Sequence, residues 1–483
     1  MKINGIDVEQ TLESVQKSLQ EDPGVPQSFR VVVEMLLLLV KALINQVTLG
    51  SRNSSIPPSQ DPNRRKKSQR DADSNGEDDA KRRPGGQKGR IGTTLRPVAE
   101  PDDVVELRLD PDTLPSGRTY REDGFEARQV ADLHITCVIT EYRAQRLKDD
   151  QGQRYVAPFP AGVVAPIQYG ASVKAYSVYL SQFQLLPYDR VRDQLQEQMG
   201  LPVSAGSTYN FDQEAAQRLT DLGFEDWVKR ALLLSPCNHA DETGINIGGQ
   251  RFWLHNLSSS RLTLLMPHAK RGSEAMDEMG VLPLVRGTLC HDHWKPYFRY
   301  TECRHALCNA HHLRELERAW EQDGQQWAKT MKAFLLELNE SVDQAGGQLA
   351  PEEDRRWRLR YRALLDEAKK ECPAPEKIHT GPGSRGRTPR SKARNLLERL
   401  EAFEAETLRF MTDHHVPFTN NQGENDLRMS KVHQKISGCF RPMDGAKAFC
   451  LIRSYLSTCR KNGVSATQAI QLLFQGKLPE FMK

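Results

Sequence analysis

The spacing of apolar residues divides this chain into stretches of different period. From about residue 7 to 48 they recur at helical spacing, and Val31, Met35, Leu36, Leu38, Leu39 and Ala42 form a wide stripe. That stripe suits a helix packing on its own protein. It also suits a dimerising coiled coil, though with fewer clean heptads than such a coil sustains. Ser51–Gly92 then loses nearly all large apolar side chains and fills with Ser, Pro, Gly, Arg and Lys. Such a stretch cannot bury enough surface to fold alone, so it reads as a flexible basic linker. Residues 93–165 alternate Val, Leu and Ile with polar residues, as in "DVVELRLD" and "DLHITCVITEYRAQRL". That alternation predicts the short strands of a small β-rich domain.

Helical spacing returns over Ser172–Leu222. Within "LQEQMGLPVSAGSTYNFDQEAAQRL" a helix meets Gly200, and a second helix follows a cap at Ser204 or Ser207. This is the spacing of a helix-turn-helix that enters a major groove, and equally of any helical hairpin. From about 236, three strand-like runs are broken by Gly248–Gly249 and by Ser258–Ser260. A short polar helix, "KRGSEAMDEMG", and a fourth strand in "VRGTLCHDHWKPY" follow. Residues 305–415 read as charged helices and 421–475 as helices again.

Charge adds a partner. The 483 residues carry a net charge of only +4, so its distribution matters more than its total. Arg64, Arg65, Lys66 and Lys67 cluster in the linker, as do Lys81–Arg83, and such clusters suit phosphate contact. The acidic block Glu77–Asp79 fits a solvated tail instead. The most apolar run, Val31–Val47, is interrupted by Glu34 and Lys41 and is too short in each piece to span a bilayer. The N-terminus lacks the apolar core and small-residue cleavage site of a signal peptide. Nine cysteines without a framework spacing predict a reduced, cytoplasmic protein.

The candidate chemistry lies in three acids. Asp241 opens the first strand of the 236–300 region, and Asp292 closes the fourth. In a β-β-β-α-β sheet those strands are neighbours, so their acids converge at one edge. Glu424 stands on a later helix, with Asn420, Asn421 and Arg428 along the same face. Converging carboxylates call for a cation, and hard divalent ions take oxygen ligands. Among 63 Asp and Glu, spacing alone singles out no triad. Asp241 and Asp292 also suit strand-end turns, and Glu424 suits a capping box with Asn421.

Several motifs together carry a resemblance. "ADETG" (Ala240–Gly244), "HDHWKPY" (His291–Tyr297), "CNAHHLREL" (Cys308–Leu316) and "VPFTNNQGENDLR" (Val416–Arg428) occur in that order. "KISGCFRPMDGAKAF" (Lys435–Phe449), "IRSYLSTCRKNG" and the linker stretches "NSSIPPSQDP" and "GGQKGRIG" also fit. The chain resembles transposases of the insertion-sequence-66 family. The resemblance covers most of the chain and is densest over 160–315 and 390–475. It implies a multidomain α/β protein whose catalytic core is RNase H-like, a mixed five-stranded sheet with flanking helices. Asp241, Asp292 and Glu424 then match a DDE triad that holds two Mg²⁺ or Mn²⁺ ions. The layout expected is an N-terminal helical, oligomerising segment (1–50) and a basic linker (51–92). A β-rich domain (93–165) and a helical DNA-binding region (166–235) follow. The core occupies 236–300 and 417–475, around a helical insertion (301–416).

The resemblance also implies double-stranded DNA, both element ends and target, as the partner of a homo-oligomer. Accessory proteins of the same element are further candidate partners, no membrane is involved, and the location is the nucleoid. Asn420, Asn421, Arg428, Lys431, Lys435 and Arg441 are the candidate DNA contacts beside the triad, with the linker bases at a distance. Two other readings stay open: an RNase H-like nuclease without strand transfer, and a DNA-binding protein with an idle triad. Cys290, His291, His293, Cys303, His305, Cys308, His311 and His312 crowd into one stretch. Cys308 and His311 form its most ligand-like pair, yet no second pair of finger spacing follows. The resemblance makes them supports of the active site; a structural zinc held by this cluster stays an open alternative, and no zinc is expected over 93–165, which holds only Cys137.

Overall fold

A computed structural model describes residues 2–3, 6–21, 26–48, 50, 54, 61, 95–133, 135–375 and 390–483. Arg64, Arg65, Lys66 and Lys67, and residues 381–389, lie outside the described residues. A short hairpin of β1 (Lys2–Ile3) and β2 (Ile6–Asp7) precedes α1 (Val8–Glu21) and α2 (Gln27–Thr48). Phe29, Met35, Leu36, Leu39 and Leu43 of α2 are exposed. Among the described residues, no helix is long and apolar enough to cross a membrane.

The strands expected over 93–165 are largely missing. Among the described residues of this stretch, only β3 (Arg146–Lys148) and β4 (Arg154–Val156) pair. Val104, Val105, Leu107, Leu109, Val138 and Ile139 stay exposed. The alternation is there, but no second layer covers its apolar side, and a ribbon without such cover is not stable alone.

Four helices come next: α3 (Ala171–Val178), α4 (Tyr188–Met199), α5 (Ala205–Asp221) and α6 (Phe224–Leu233). Gly200 ends α4 at a φ of +64°, and the Ser204 hydroxyl accepts from the Ser207 N–H to start α5. The sheet is built from β5 (Cys237–Ile247), β6 (Gln250–Ser258), β7 (Thr263–His268), β8 (Thr288–His291) and β9 (Arg304–Leu307). A short helix, α7 (Ser273–Met279), links β7 to β8. The spatial order is β7-β6-β5-β8-β9. The first three strands are antiparallel, while β5, β8 and β9 run parallel. Gly248 and Gly249 turn β5 into β6 with φ of +59° and +82°, which only a two-residue turn of left-handed conformers needs.

A helical block follows β9: α8 (Asn309–Asp323), α9 (Gln326–Gln344), α10 (Pro351–Glu371), α11 (Lys392–Ala402) and the short α12 (Glu404–Thr407). The chain then returns to the sheet with α13 (Asn421–Ser437), α14 (Met443–Lys461) and α15 (Ala466–Phe474). Successive side chains of a strand point to opposite faces, and the two faces here meet different cores. Ala240 and Leu289 join α3–α6, α14 and α15, whereas Cys237, Cys290 and Ala306 join Trp327, Phe334, Trp357 and Tyr361 of the helical block.

The helical hairpin is part of the first core. Phe211, Ala215 and Leu219 of α5 are buried, and the helix packs against α3, α14 and α15. Its exposed positions are Gly206, Asn210, Gln217, Thr220 and Asp221. Its cation, Arg218, is 36% exposed and paired with Glu214 at 2.9 Å, so this helix offers little free positive charge to DNA phosphates.

Candidate active site

Strand pairing brings Asp241 and Asp292 together. The parallel register of β5 and β8 aligns Cys237 with Thr288 and His239 with Cys290. Two residues further along each chain stand Asp241 and Asp292, on adjacent strands whose spacing is about 4.8 Å. Electrostatics records the proximity. Burial holds the Asp241 carboxyl well above its ordinary range, and the charges of Glu242, Asp292 and, most weakly, Glu424 push it further. One backbone N–H, from Glu242 at 2.9 Å, opposes them. Burial and Glu242 also raise the Asp292 carboxyl, against the Trp294 N–H at 2.9 Å and the Arg271 guanidinium.

Glu242 is a fourth acid that the sequence reading passed over, although it lies inside "ADETG". Its side chain is only 2% exposed. The Arg271 guanidinium donates to it at 2.6 and 2.9 Å, and the Tyr297 hydroxyl at 2.5 Å. Arg271 in turn is sandwiched between Trp253 and Trp294, its guanidinium carbon 4.9 and 4.4 Å from the ring centroids. Glu242 is thereby ion-paired on its own face of β5, though its charge still reaches both aspartates, while among the described residues Lys431 is a cation beside Asp241 on the other face. The Lys431 ammonium donates to the Gly244 carbonyl at 2.8 Å.

The start of α13 is fixed to the same strand. Asn420 is buried, and the His239 Nδ1–H donates to its amide oxygen at 2.8 Å while its amide NH₂ donates to the Ala240 carbonyl at 2.9 Å. Its backbone N–H donates to the Cys308 sulfur at 3.1 Å. Asn256, opposite Asp241 on β6, donates to the Gly423 carbonyl at 3.2 Å. A Cβ on Gly423 would lie 3.0 Å from the Asn420 amide nitrogen, which explains a glycine in the first turn. The expected DNA contact at Asn420 is therefore corrected: both ends of its amide bond within the fold, and none of it faces solvent. Asn421, Arg428, Lys435 and Arg441 are exposed, as surface contacts must be.

The capping question at Glu424 resolves against the box. Asn420 holds the cap position without any side-chain bond to the helix. The Glu424 backbone N–H donates to the Asn420 carbonyl at 3.3 Å, one residue beyond the position a capping box needs. The Glu424 carboxylate instead meets Arg314 of α8 at 3.8 Å. It also clusters with Cys308 and His311, the three ligand atoms lying within 4.8 Å of one another. Cys308 and His311 thus stand beside the third acid rather than behind the first two. The neighbouring histidines are packing residues. His291 donates to or accepts from His305 at 3.0 Å and stacks near Tyr297 and Phe298. Burial pushes the His291 imidazole down to about 3 and that of His293 to about 4.

Asp241 and Asp292 are paired oxygen donors of the kind a hard divalent cation satisfies, whereas the Glu424 carboxylate lies with Cys308, His311 and Arg314. Residues 166–448 match a protein family described as the transposase IS66 family. No protein of curated function matches the chain.

Proposed function

The chain belongs to the IS66 family of transposases, and we propose that it cuts DNA at element ends and joins the freed 3′-hydroxyl to target DNA. Asp241, Asp292 and Glu424 are the catalytic acids of this reading. They would hold two Mg²⁺ or Mn²⁺ ions, which when bound supply an activated oxygen nucleophile and neutralise charge on the leaving oxygen. The strand order, three antiparallel strands followed by two parallel ones beyond β5, supports an RNase H-like core. The observation that carries the proposal is the pairing of Asp241 with Asp292 at the ends of adjacent strands, both carboxyls raised by burial and neighbouring acids.

The chain's own residues prepare the site. The Trp294 N–H orients the Asp292 carboxylate. Arg271 and Tyr297 fix the Glu242 carboxylate beside the two aspartates. Asn420 fixes α13 against β5, so Glu424 projects from an anchored turn. Arg428, Lys431 and Lys435 follow Glu424 along α13 and neutralise DNA phosphates there, with Asn421 and Arg441 at the edge. Residues 51–92 add sequence-independent contacts, and a homo-oligomer brings two ends together.

The test is Mn²⁺-dependent nicking of DNA that contains element ends, followed by joining of a 3′-hydroxyl end to a second duplex. Wild type performs both, and Asp241→Asn and Glu424→Gln perform neither. Nicking without joining identifies a nuclease. Equal behaviour of all three proteins refutes the catalytic assignment.

A further inference from the structure

Cys308, at the start of α8, brings chemistry that phosphodiester transfer does not use. Its sulfur, a ring nitrogen of His311 and a carboxylate oxygen of Glu424 lie within 4.8 Å of one another. These are three different donor types gathered from two helices. The cysteine is 1% exposed. The Asn420 N–H points at its sulfur from 3.1 Å, and the N–H groups of Ala310 and His311 add to it. Burial, with the Glu424 charge, holds the Cys308 thiol above its usual range, and these N–H groups only oppose that rise; the donor geometry, not a preformed thiolate, marks the site. His311 carries the second sign of a missing partner: its Nδ1 is buried and makes no hydrogen bond.

We infer that Cys308, His311 and Glu424 form a binding site for one transition-metal ion of the Zn²⁺ class, separate from the oxygen donors Asp241 and Asp292. Mg²⁺ avoids sulfur and prefers an oxygen shell, whereas Zn²⁺ accepts S, N and O donors at about 2.0–2.3 Å. Three protein ligands leave the fourth tetrahedral position to water, as in open zinc sites. The present spacing needs only a modest closing of the Glu424 and His311 side chains. On binding, the Cys308 thiol gives its proton to solvent and the sulfur bonds the metal, with no change of oxidation state. The Arg314 guanidinium, 3.8 Å from Glu424, then gives up its ion pair.

The site has a regulatory consequence that rests on the catalytic role proposed for Glu424. One carboxylate cannot bind on α8 and also join Asp241 and Asp292. A Zn²⁺-class ion therefore holds the third acid out of the active site and inhibits Mg²⁺-dependent cleavage.

The experiment uses the full chain, stripped of metal with a chelator and titrated with Co²⁺. A thiolate-to-cobalt charge-transfer band at one ion per chain, displaced by Zn²⁺, is the expected result. Cys308→Ser removes the band, and His311→Ala and Glu424→Gln each weaken Co²⁺ binding about tenfold or more. Cys290→Ser, a buried cysteine on β8, keeps it. Circular dichroism confirms that each variant is folded, and Glu424→Gln, at a partly exposed side chain, is the variant least able to disturb the fold. Absence of the band, or its survival in Cys308→Ser, overturns the site. Zn²⁺ also slows Mn²⁺-dependent nicking by wild type, and nicking indifferent to bound Zn²⁺ overturns the inhibitory role. If no protein nicks DNA, the catalytic reading fails while the cobalt band still decides the metal site.

Discussion

Replacing Asn420 with alanine tests whether one buried amide joins the third acid to the strand of the first. The side chain is 2% exposed and makes two bonds, from His239 at 2.8 Å and to the Ala240 carbonyl at 2.9 Å. Its loss leaves a buried imidazole N–H and a buried carbonyl without this partner. Each such group costs about 1–3 kcal/mol, so the two together give an expected destabilisation of about 2–6 kcal/mol. Asn420→Asp keeps an acceptor for His239 but turns a carboxylate oxygen toward the Ala240 carbonyl and adds negative charge beside Asp241. It should cost at least as much. Urea unfolding followed by tryptophan fluorescence reads the difference directly. At a urea concentration where both proteins are fully folded, nicking by Asn420→Ala should still fall, because Glu424 loses its anchored turn. A destabilisation below about 0.5 kcal/mol, the range of an ordinary surface change, would refute the tether.

Asp241→Asn removes one of several crowded acids, so the metal-free protein should melt at a higher temperature than wild type. Adding Mg²⁺ should stabilise wild type and not this variant, and calorimetry with and without Mg²⁺ checks both. Gly287→Ala places a Cβ 2.8 Å from the carbonyl oxygens of Ser235 and Pro236, forcing β8 away from β5. A loss of about 1–3 kcal/mol is expected in urea, and nicking should fall with the separation of Asp292 from Asp241. Burial holds His291 and His312 at about 3 and His293, His311 and His433 at about 4, all below a free imidazole. The unfolded chain takes up these protons near pH 6.5 and the folded chain does not, so stability is present above pH 6.5 and falls as pH drops toward 4. Asp212, which burial raises to about 7, and the raised Asp241 and Asp292 carboxyls work in the opposite direction, and the five rings outweigh these three groups. Urea midpoints at pH 7.5, 6 and 5 should decline in that order; a rise on acidification would refute the assignment.

Local chemistry was legible where a short stretch carries its own signal. The Gly248–Gly249 turn and the Ser204 cap follow from neighbours in sequence, and the adjacency of the strands of Asp241 and Asp292 from the β-β-β-α-β order. β9 was hidden because four residues inside a charged stretch show no period. The alternation over 93–165 misled because a strand pattern does not supply the layer that must cover it. Partners of the acids were hidden for another reason. The Glu242 carboxylate meets Arg271 and Tyr297 across 29 and 55 residues, and Asn420 meets His239 across 181. Such pairs exist only after the sheet has formed, so no spacing rule finds them.

The same distinction decides how the site assembles. At Asn420 and Gly423, bonds to β5, β6 and the start of α8 pin the first turn of α13, so the helix itself cannot slide toward the strand acids without breaking buried hydrogen bonds. Glu424, in contrast, is 39% exposed, and among the described residues a 3.8 Å ion pair with Arg314 holds it. Breaking a partly solvated pair of this kind costs about 1 kcal/mol or less. The inexpensive motion is therefore a rotation of one side chain on a fixed turn. Glu424 adds to the negative charge around Asp241, so positive charge arriving there favours turning it inward. In the catalytic reading, completing the triad is then a matter of charge neutralisation, with the backbone already in place.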